Sequence, residues 1–425
     1  MAEARPACAA RPAGDIESGS ERGAERAGAP WLPALAASLV LAVGMGFGRF
    51  AFTGMYPLMV RDGLLSVGAG SLAASANYAG YLAGALAVTR LSPRATPQLC
   101  RIALAGTVLC LLVLALPAAP WFVAGTRFVA GFFSALALVA ASVWLFQLVG
   151  QPHGAPLLFA GVGSGILLSA EAIAAGNLAG WRSPALWAAL AAGALALSLP
   201  AWRLLGGRAP PPHPAGAAVA AVGAADAADA ANAASVPGPW PLIASYGLAG
   251  FGYIVTATYL PLFVRDALGQ VDPIHVWAVF GLGAAPSCYL WHALHGRLGT
   301  RRALALNLLV QAAGVILPAL SHAAWSYLAS ALLVGGTFVG TVTIAMPAAR
   351  RVAHAVPFNL LAAMTSAYGV GQIAGPLAAG ALMARSHSFN GPLAAAAAAL
   401  LAAAAVIFVR APGAGKRPSS EGVTQ

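Results

Sequence analysis

Residues 102–119 read IALAGTVLCLLVLALPAA, eighteen positions without a single charge. Stretches of this kind recur along most of the chain. Wound as a helix rising ~1.5 Å per residue, about 18–20 apolar residues cross the ~30 Å hydrocarbon core of a bilayer. Charged residues make up 8% of the 425, against roughly a quarter in soluble domains. That is too few to cover a water-exposed surface of this size. The expected fold class is an all-α polytopic membrane protein, with the lipid bilayer as its surroundings.

Twelve spans are expected: 32–60, 67–89, 102–119, 122–149, 156–180 and 184–205, then 240–264, 273–294, 303–321, 324–348, 358–384 and 391–410. Before them, residues 1–30 mix Arg and Glu without an apolar stretch, so they read as a disordered cytoplasmic tail rather than a signal peptide. Residues 206–238 turn to Pro, Gly, Ala and a few Asp, a flexible linker between a half at 31–205 and a half at 239–410. A short tail follows at 411–425. The sequence reads as the frame of a monomer.

The halves echo each other. GFGRFAFTGMYPLMVRDGL (46–64) and GFGYIVTATYLPLFVRDAL (250–268) agree at nine of nineteen positions, 204 residues apart. GVG at 161–163 returns at 369–371. Such parallel repeats suit two six-helix bundles related by an axis along the membrane normal. Of the 23 basic residues, seventeen fall in loops and tails on one side and four on the other when the N-terminus starts inside. By the positive-inside rule both termini are expected in the cytoplasm.

The basic balance does not indicate nucleic acid, because the arginines are dispersed among short loops rather than gathered in one patch. Cys8, Cys100, Cys110 and Cys288 lack metal or redox spacing and read as small packing residues. His292 and His295 form an H-x-x-H without an acidic or Cys partner, so no metal is expected. No phosphate-binding loop occurs, and no cofactor is expected.

Arginine and glutamate inside apolar spans carry the chemistry. Arg49 lies ~16 Å from the span end at Val60, beyond the ~6 Å reach of a snorkelling side chain. A charge at that depth needs a cavity or a partner. Helical spacing sets Ser38, Arg49, Thr53 and Tyr56 along one stripe. Glu171 is the only acid within a span, ~15 Å from Trp181 and nearly level with Arg49. A switchable Arg49–Glu171 pair is the expectation, with Glu171 carrying the proton and Arg49 receiving the solute. In span 2, Asn77 and Tyr81 share a face as cavity candidates, while Ala76, Gly80 and Gly84 form a packing stripe. The second half has Tyr253 where the first has Arg49, and Thr337, Thr341, Tyr368 and Gln372 supply hydrogen bonds there. Pro286 and Gly375-Pro376 are kink candidates.

Three local patterns resemble the major facilitator superfamily. Leu294-His295-Gly296-Arg297-Leu298-Gly299-Thr300-Arg301-Arg302 is similar to its loop signature, with Gly296 where that signature carries an acid. Arg127-Phe-Val-Ala-Gly131 is similar to its fourth-helix R-x-x-x-G pattern. GFGRFAFTGMYPLM followed by SLAASANYAGYLAGAL resembles the opening of the YbfB/YjiJ-type transporters. The resemblance implies a secondary active transporter moving a small solute across the inner membrane of a bacterium by alternating access. The resemblance implies proton coupling at Arg127; from depth and spacing, Glu171 is expected to carry the proton, Arg49, Thr53, Asn77, Tyr81, Tyr253 and Gln372 to contact the solute, and Arg297, Arg301 and Arg302 to hold the gate. An integral-membrane enzyme acting on a lipid-linked substrate is the alternative. It would need Asp, His and Glu clustered at one membrane face, which the sequence does not offer.

Overall fold

The structure, a computed structural model, describes residues 31–88, 92–206, 236–264 and 272–409. The expected tails at 1–30 and 411–425, and nearly all of the expected linker, lie outside the described residues. Twelve long helices follow one another: α1 (Leu32–Arg61), α2 (Val67–Ala87), α3 (Thr96–Leu114), α4 (Pro120–Val143), α5 (Ala155–Leu178), α6 (Ser183–Leu204), α7 (Pro239–Phe263), α8 (Ile274–Leu298), α9 (Thr300–Leu320), α10 (Ala324–Val352), α11 (Leu360–Ser386) and α12 (Asn390–Val406). No strand occurs among the described residues.

Most boundaries fall within a turn of the expected ones, and the largest shift has a local cause. α3 begins at Thr96 rather than 102, because Pro97 suits the first turn and the Thr96 hydroxyl donates to the Pro93 carbonyl at 2.6 Å. It ends at Leu114, three residues before Pro117. Gly299, at φ 73°, makes the one-residue turn between α8 and α9, a left-handed conformation that glycine alone adopts without strain.

α1–α6 and α7–α12 meet along two long contacts, α2 against α11 and α5 against α8, and α1 also touches α7 and α8. Both contacts depend on small residues. A Cβ on Gly163 would stand 2.2 Å from the Ala285 nitrogen, and one on Gly281 would stand 2.6 Å from the Leu167 nitrogen. Only glycine allows these backbones to touch. Among the described residues, nine helices are long and apolar enough to cross a membrane by themselves, and α12 is a shorter apolar helix of 17 residues. α2 and α11 are long enough, at 21 and 27 residues, but diluted by Gly, Ser, Asn, Gln and Tyr. They can be so because each covers the other at the seam.

The expected packing stripe of α2 is present. A Cβ on Gly80 would lie 1.8 Å from the Phe128 carbonyl oxygen of α4, and one on Gly131 would lie 1.9 Å from that of Asn77. Cys100, Cys110 and Cys288 are buried and free. Cys8 lies outside the described residues. Pro286 and Pro376 both sit inside continuous helices.

Candidate functional site

α1 is not α-helical throughout. Ala42–Phe50, the AVGMGFGRF stretch, is a π-helix in which each N–H reaches five residues back. The wider turn releases backbone acceptors, and in a membrane each must find a donor. Here three do. Arg127 of α4 donates from Nη1 to the Gly48 carbonyl and from Nη2 to the Arg49 carbonyl, both at 2.8 Å. Trp277 of α8 donates its indole N–H to the Phe50 carbonyl at 3.1 Å. The Asn77 amide in turn donates to the Arg127 carbonyl at 2.8 Å. Arg127 is 1% exposed, so it does not snorkel but points inward.

This wrapping turns Arg49 toward α2. Its guanidinium carbon lies 4.0 Å from the centre of the Tyr81 ring, 4.9 Å from Tyr78 and 5.4 Å from Phe50. Each cation–π contact contributes ~0.5–2 kcal/mol. Arg49 is 3% exposed, and its Nε and Nη1 have no acceptor. The Arg49–Glu171 pair expected from the sequence is not formed. Glu171 is about half exposed and meets Nδ1 of His275 on α8 at 3.0 Å. Equal depth along two helices does not make two side chains face each other, and α5 turns Glu171 toward the start of α8.

The stripe expected on α1 is likewise redistributed. The Ser38 backbone lies against Gly161 of α5. Tyr56 hydrogen-bonds the Val67 carbonyl at the start of α2. The Thr53 hydroxyl donates to the Ala257 carbonyl at 2.6 Å. Residues 53 and 257 are the same position in the two copies of the repeat, so the copies face one another where the halves meet. Beside them Tyr78 and Thr258 share a hydroxyl contact of 3.1 Å.

Across from Arg49 stands an aromatic wall from the second half. Tyr253 stacks on Phe338 with centroids 5.6 Å apart and on Tyr368 at 5.8 Å, and Tyr368 stacks on Tyr246 at 4.5 Å. Phe338 continues through Phe280 to Trp277 and touches Phe50 at 5.8 Å. Gln372 hydrogen-bonds the Tyr253 hydroxyl through Nε2, while its Oε1 has no partner. Tyr253 and Gln372 are thus brought together. Thr337 and Thr341 instead bond within α10 and to Asn307 of α9.

Hydrogen bonds between the halves lie toward one end. At the α5–α6 end, the Arg61 guanidinium donates to Asn177 Oδ1 at 2.6 Å, and Asn177 Nδ2 donates to Asp272 Oδ2 at 2.6 Å. Asp62 accepts from the backbone N–H and the hydroxyl of Ser183, both at 2.7 Å. Partial burial works against the Asp62 charge, yet the bonds from Arg61 and Ser183 outweigh it and hold the carboxyl down at about 2. At the opposite end, Arg301 donates to the carbonyls of Ile407 and Val236, tying α9 to the ends of α12 and α7 within its own half. Arg297 and Arg302 are exposed there.

A family profile described as "Uncharacterised MFS-type transporter YbfB" matches residues 41–408. The chain belongs to this family. Among solved structures it is similar to a crystal structure of a bacterial homologue of the human lysosomal transporter Spinster, in an inward-facing and occupied conformation. The two share 15% identity and a TM-score of 0.61, over 88% of this chain and 95% of the other, and at that identity the likeness shows the fold alone. Comparison with curated proteins found no match. In this YbfB-type transporter, sequence reasoning missed His275, Trp277, Tyr78, Asn177 and Asp272. Each sits within three or four positions of a helix end or beside aromatic neighbours, where a polar or ring side chain reads as an ordinary interfacial residue. A signal was present at Tyr78, one residue from Asn77, but only the Asn77 face was followed.

Proposed function

We propose that the protein is a secondary active transporter of the bacterial inner membrane, working as a monomer with both termini cytoplasmic. It moves a small anionic solute by alternating access and couples this to protons. One observation carries the reading: Arg49, buried at the meeting of the two halves, holds a charge with two guanidinium nitrogens that have no acceptor. A protein keeps such an arrangement at a cost of several kcal/mol, which an arriving anion offsets. In this reading Arg49 contacts the solute, with Tyr81, Tyr253 and Gln372 around it. Thr53 and Asn77 shape the site through helix contacts, and Arg127 holds the π-helix. Arg297 and Arg302 steady the cytoplasmic end, with Arg301 as the staple beneath them.

Coupling is assigned to Glu171 with His275. The pair joins the halves on the side whose hydrogen bonds are closed, near Asp272 and the Arg61–Asn177 chain. A proton reaching Glu171 removes the charge opposite the imidazole, and the two halves lose that tie. Loss of this tie favours parting of the external end.

Spin-label distance measurements on the full chain in nanodiscs test this without knowing the solute. Labels at Arg182 and Ser386 report one end, and labels at Arg94 and Arg302 report the other. Two distance populations, anticorrelated between the ends and shifting between pH 5.5 and 8, are expected, and Glu171→Gln should abolish the shift. A single distance at both ends that ignores pH overturns alternating access. A pH response intact in Glu171→Gln overturns the coupling assignment.

A further inference from the structure

We infer that the carried anion is a monocarboxylate borne on a flat aromatic body. This rests on the reading of Arg49 as the solute contact and narrows it to a chemical class.

The charge count comes first. Only three acids occur among the described residues: Asp62, Glu171 and Asp272. Asp62 and Asp272 stand at the external ends of helices, and Glu171 is engaged with His275. A cationic solute therefore finds no counter-charge beside Arg49. A dianion finds only one guanidinium with a free terminal donor, Arg49, since both terminal nitrogens of Arg127 are committed to the Gly48 and Arg49 carbonyls and only its Nε is unpartnered. One negative charge fits.

The walls come second. On the Arg49 side, Tyr78, Tyr81 and Phe50 present ring faces to the guanidinium. Opposite them, Tyr253 lies nearly parallel to Phe338, at 9°, and to Tyr368, at 18°. A flat ring entering between Tyr81 and Tyr368 extends stacks that already exist. Both these tyrosines keep partial exposure, while Arg49 behind them is buried. In this proposal the solute reaches the charge past these two partly exposed rings.

The polar complement comes third. Unsatisfied acceptors nearby are few: Oε1 of Gln372, Oδ1 of Asn77 and the Thr107 hydroxyl beside Gly48. A sugar would need many hydrogen-bonding side chains around it, and the surroundings are rings instead. An aromatic acid needs one cation, ring faces and at most one hydrogen-bonding substituent, which Gln372 can meet. Cation–π contact engages the charge of Arg49 and leaves its N–H donors for the planar carboxylate, which a guanidinium fork grips better than an ammonium.

The experiment is calorimetric titration of the purified full chain in nanodiscs. The probes are benzoate and indole-3-carboxylate, set against acetate, phthalate, benzylamine, benzyl alcohol and glucose. The two aryl monocarboxylates are expected to bind at least tenfold more tightly than every other probe. Arg49→Gln should lose this binding by tenfold or more while the protein stays monodisperse. Tyr253→Leu, which leaves the cation in place, should weaken the aryl acids about tenfold and leave acetate unchanged. If Arg49→Gln fails to fold, Tyr253→Leu decides. The inference is overturned if neither aryl acid binds, if benzylamine or phthalate binds as tightly, or if Tyr253→Leu treats benzoate and acetate alike. Failure here with intact two-ended distance changes removes the solute class and leaves alternating access standing. Loss of both removes the underlying reading as well.

Discussion

Arg127 gives its two terminal nitrogens to backbone carbonyls, and this ties a residue of α4 to the geometry of α1. Hydrogen bonds involving a charged donor contribute ~1.5–3 kcal/mol each, so Arg127→Gln should destabilise the protein by about 3 kcal/mol or more. Arg127→Lys keeps the charge but cannot span two carbonyls, and should recover less than half of the loss. Thermal unfolding in detergent, with denaturant series where reversible, measures both. Glycine gives a sharper contrast. Gly131→Ala sets a methyl 1.9 Å from the Asn77 carbonyl and should cost several kcal/mol, whereas a Cβ at Gly296 meets nothing within 4 Å and Gly296→Ala should be nearly neutral. Gly80 and Gly84 announced their role by spacing alone. Arg49 was legible from its depth, because a charge so far from either interface has few explanations. Its partners were not, since ring faces leave no signature at fixed spacing in a single sequence.

Among the helices, α1 and α7 carry matching motifs, yet only α1 winds as a π-helix, over Ala42–Phe50, while α7 runs as a regular α-helix. Five-back hydrogen bonds are weaker and less cooperative than the α ladder. Amide hydrogens of residues 42–50 should therefore exchange faster than those of the matching 246–254, by ~10-fold for about 1.4 kcal/mol of lost protection. Equal rates would mean that the side-chain donors fully compensate. The number and order of the helices could be read from apolar runs, because each crossing demands length and hydropathy together. The π turn could not, since it shifts the helical face by about 100° for each extra residue without changing the apolar count. This is why the stripe drawn through Ser38, Arg49, Thr53 and Tyr56 does not survive. At the end of α1, Asp62 holds Ser183 and the first turn of α6. Its carboxyl is depressed from the usual 3.8 to about 2, so its contribution is fully present above about pH 4 and is lost as pH falls through 2. In melting measured across that window, Asp62→Ala should be less stable than the parent at pH 6 and approach it toward pH 2.

For the whole molecule, the Arg61–Asn177–Asp272 chain is the polar closure of one end, and Thr53 lies buried in the same seam. Asn177→Ala breaks the link to Asp272 across the halves. If that link contributes ~1.4 kcal/mol to the closed arrangement, a Thr53→Cys side chain should react about tenfold faster with an impermeant thiol reagent added from that side. An unchanged rate would place the closure in the α5–α8 contact instead. The duplicated sentence in the sequence made two halves legible, and the 204-residue offset foretold that Thr53 and Ala257 correspond. That they also touch required the structure. The buried charge of Arg49 has a further consequence, in voltage. If the solute is the proposed monoanion, its binding cancels the charge of Arg49 and leaves that of Arg127, which is held by neutral carbonyls, so the loaded protein carries one positive charge fewer than the empty one. Empty, it holds two buried positive charges, Arg49 and Arg127, and the return step feels the potential more than the loaded step does, by at most ~2.3 kcal/mol per 100 mV for the one charge the anion would cancel. Transmembrane voltage would therefore act more strongly on the empty carrier than on the loaded one, and net turnover should respond more steeply to a potassium diffusion potential than one-for-one exchange does.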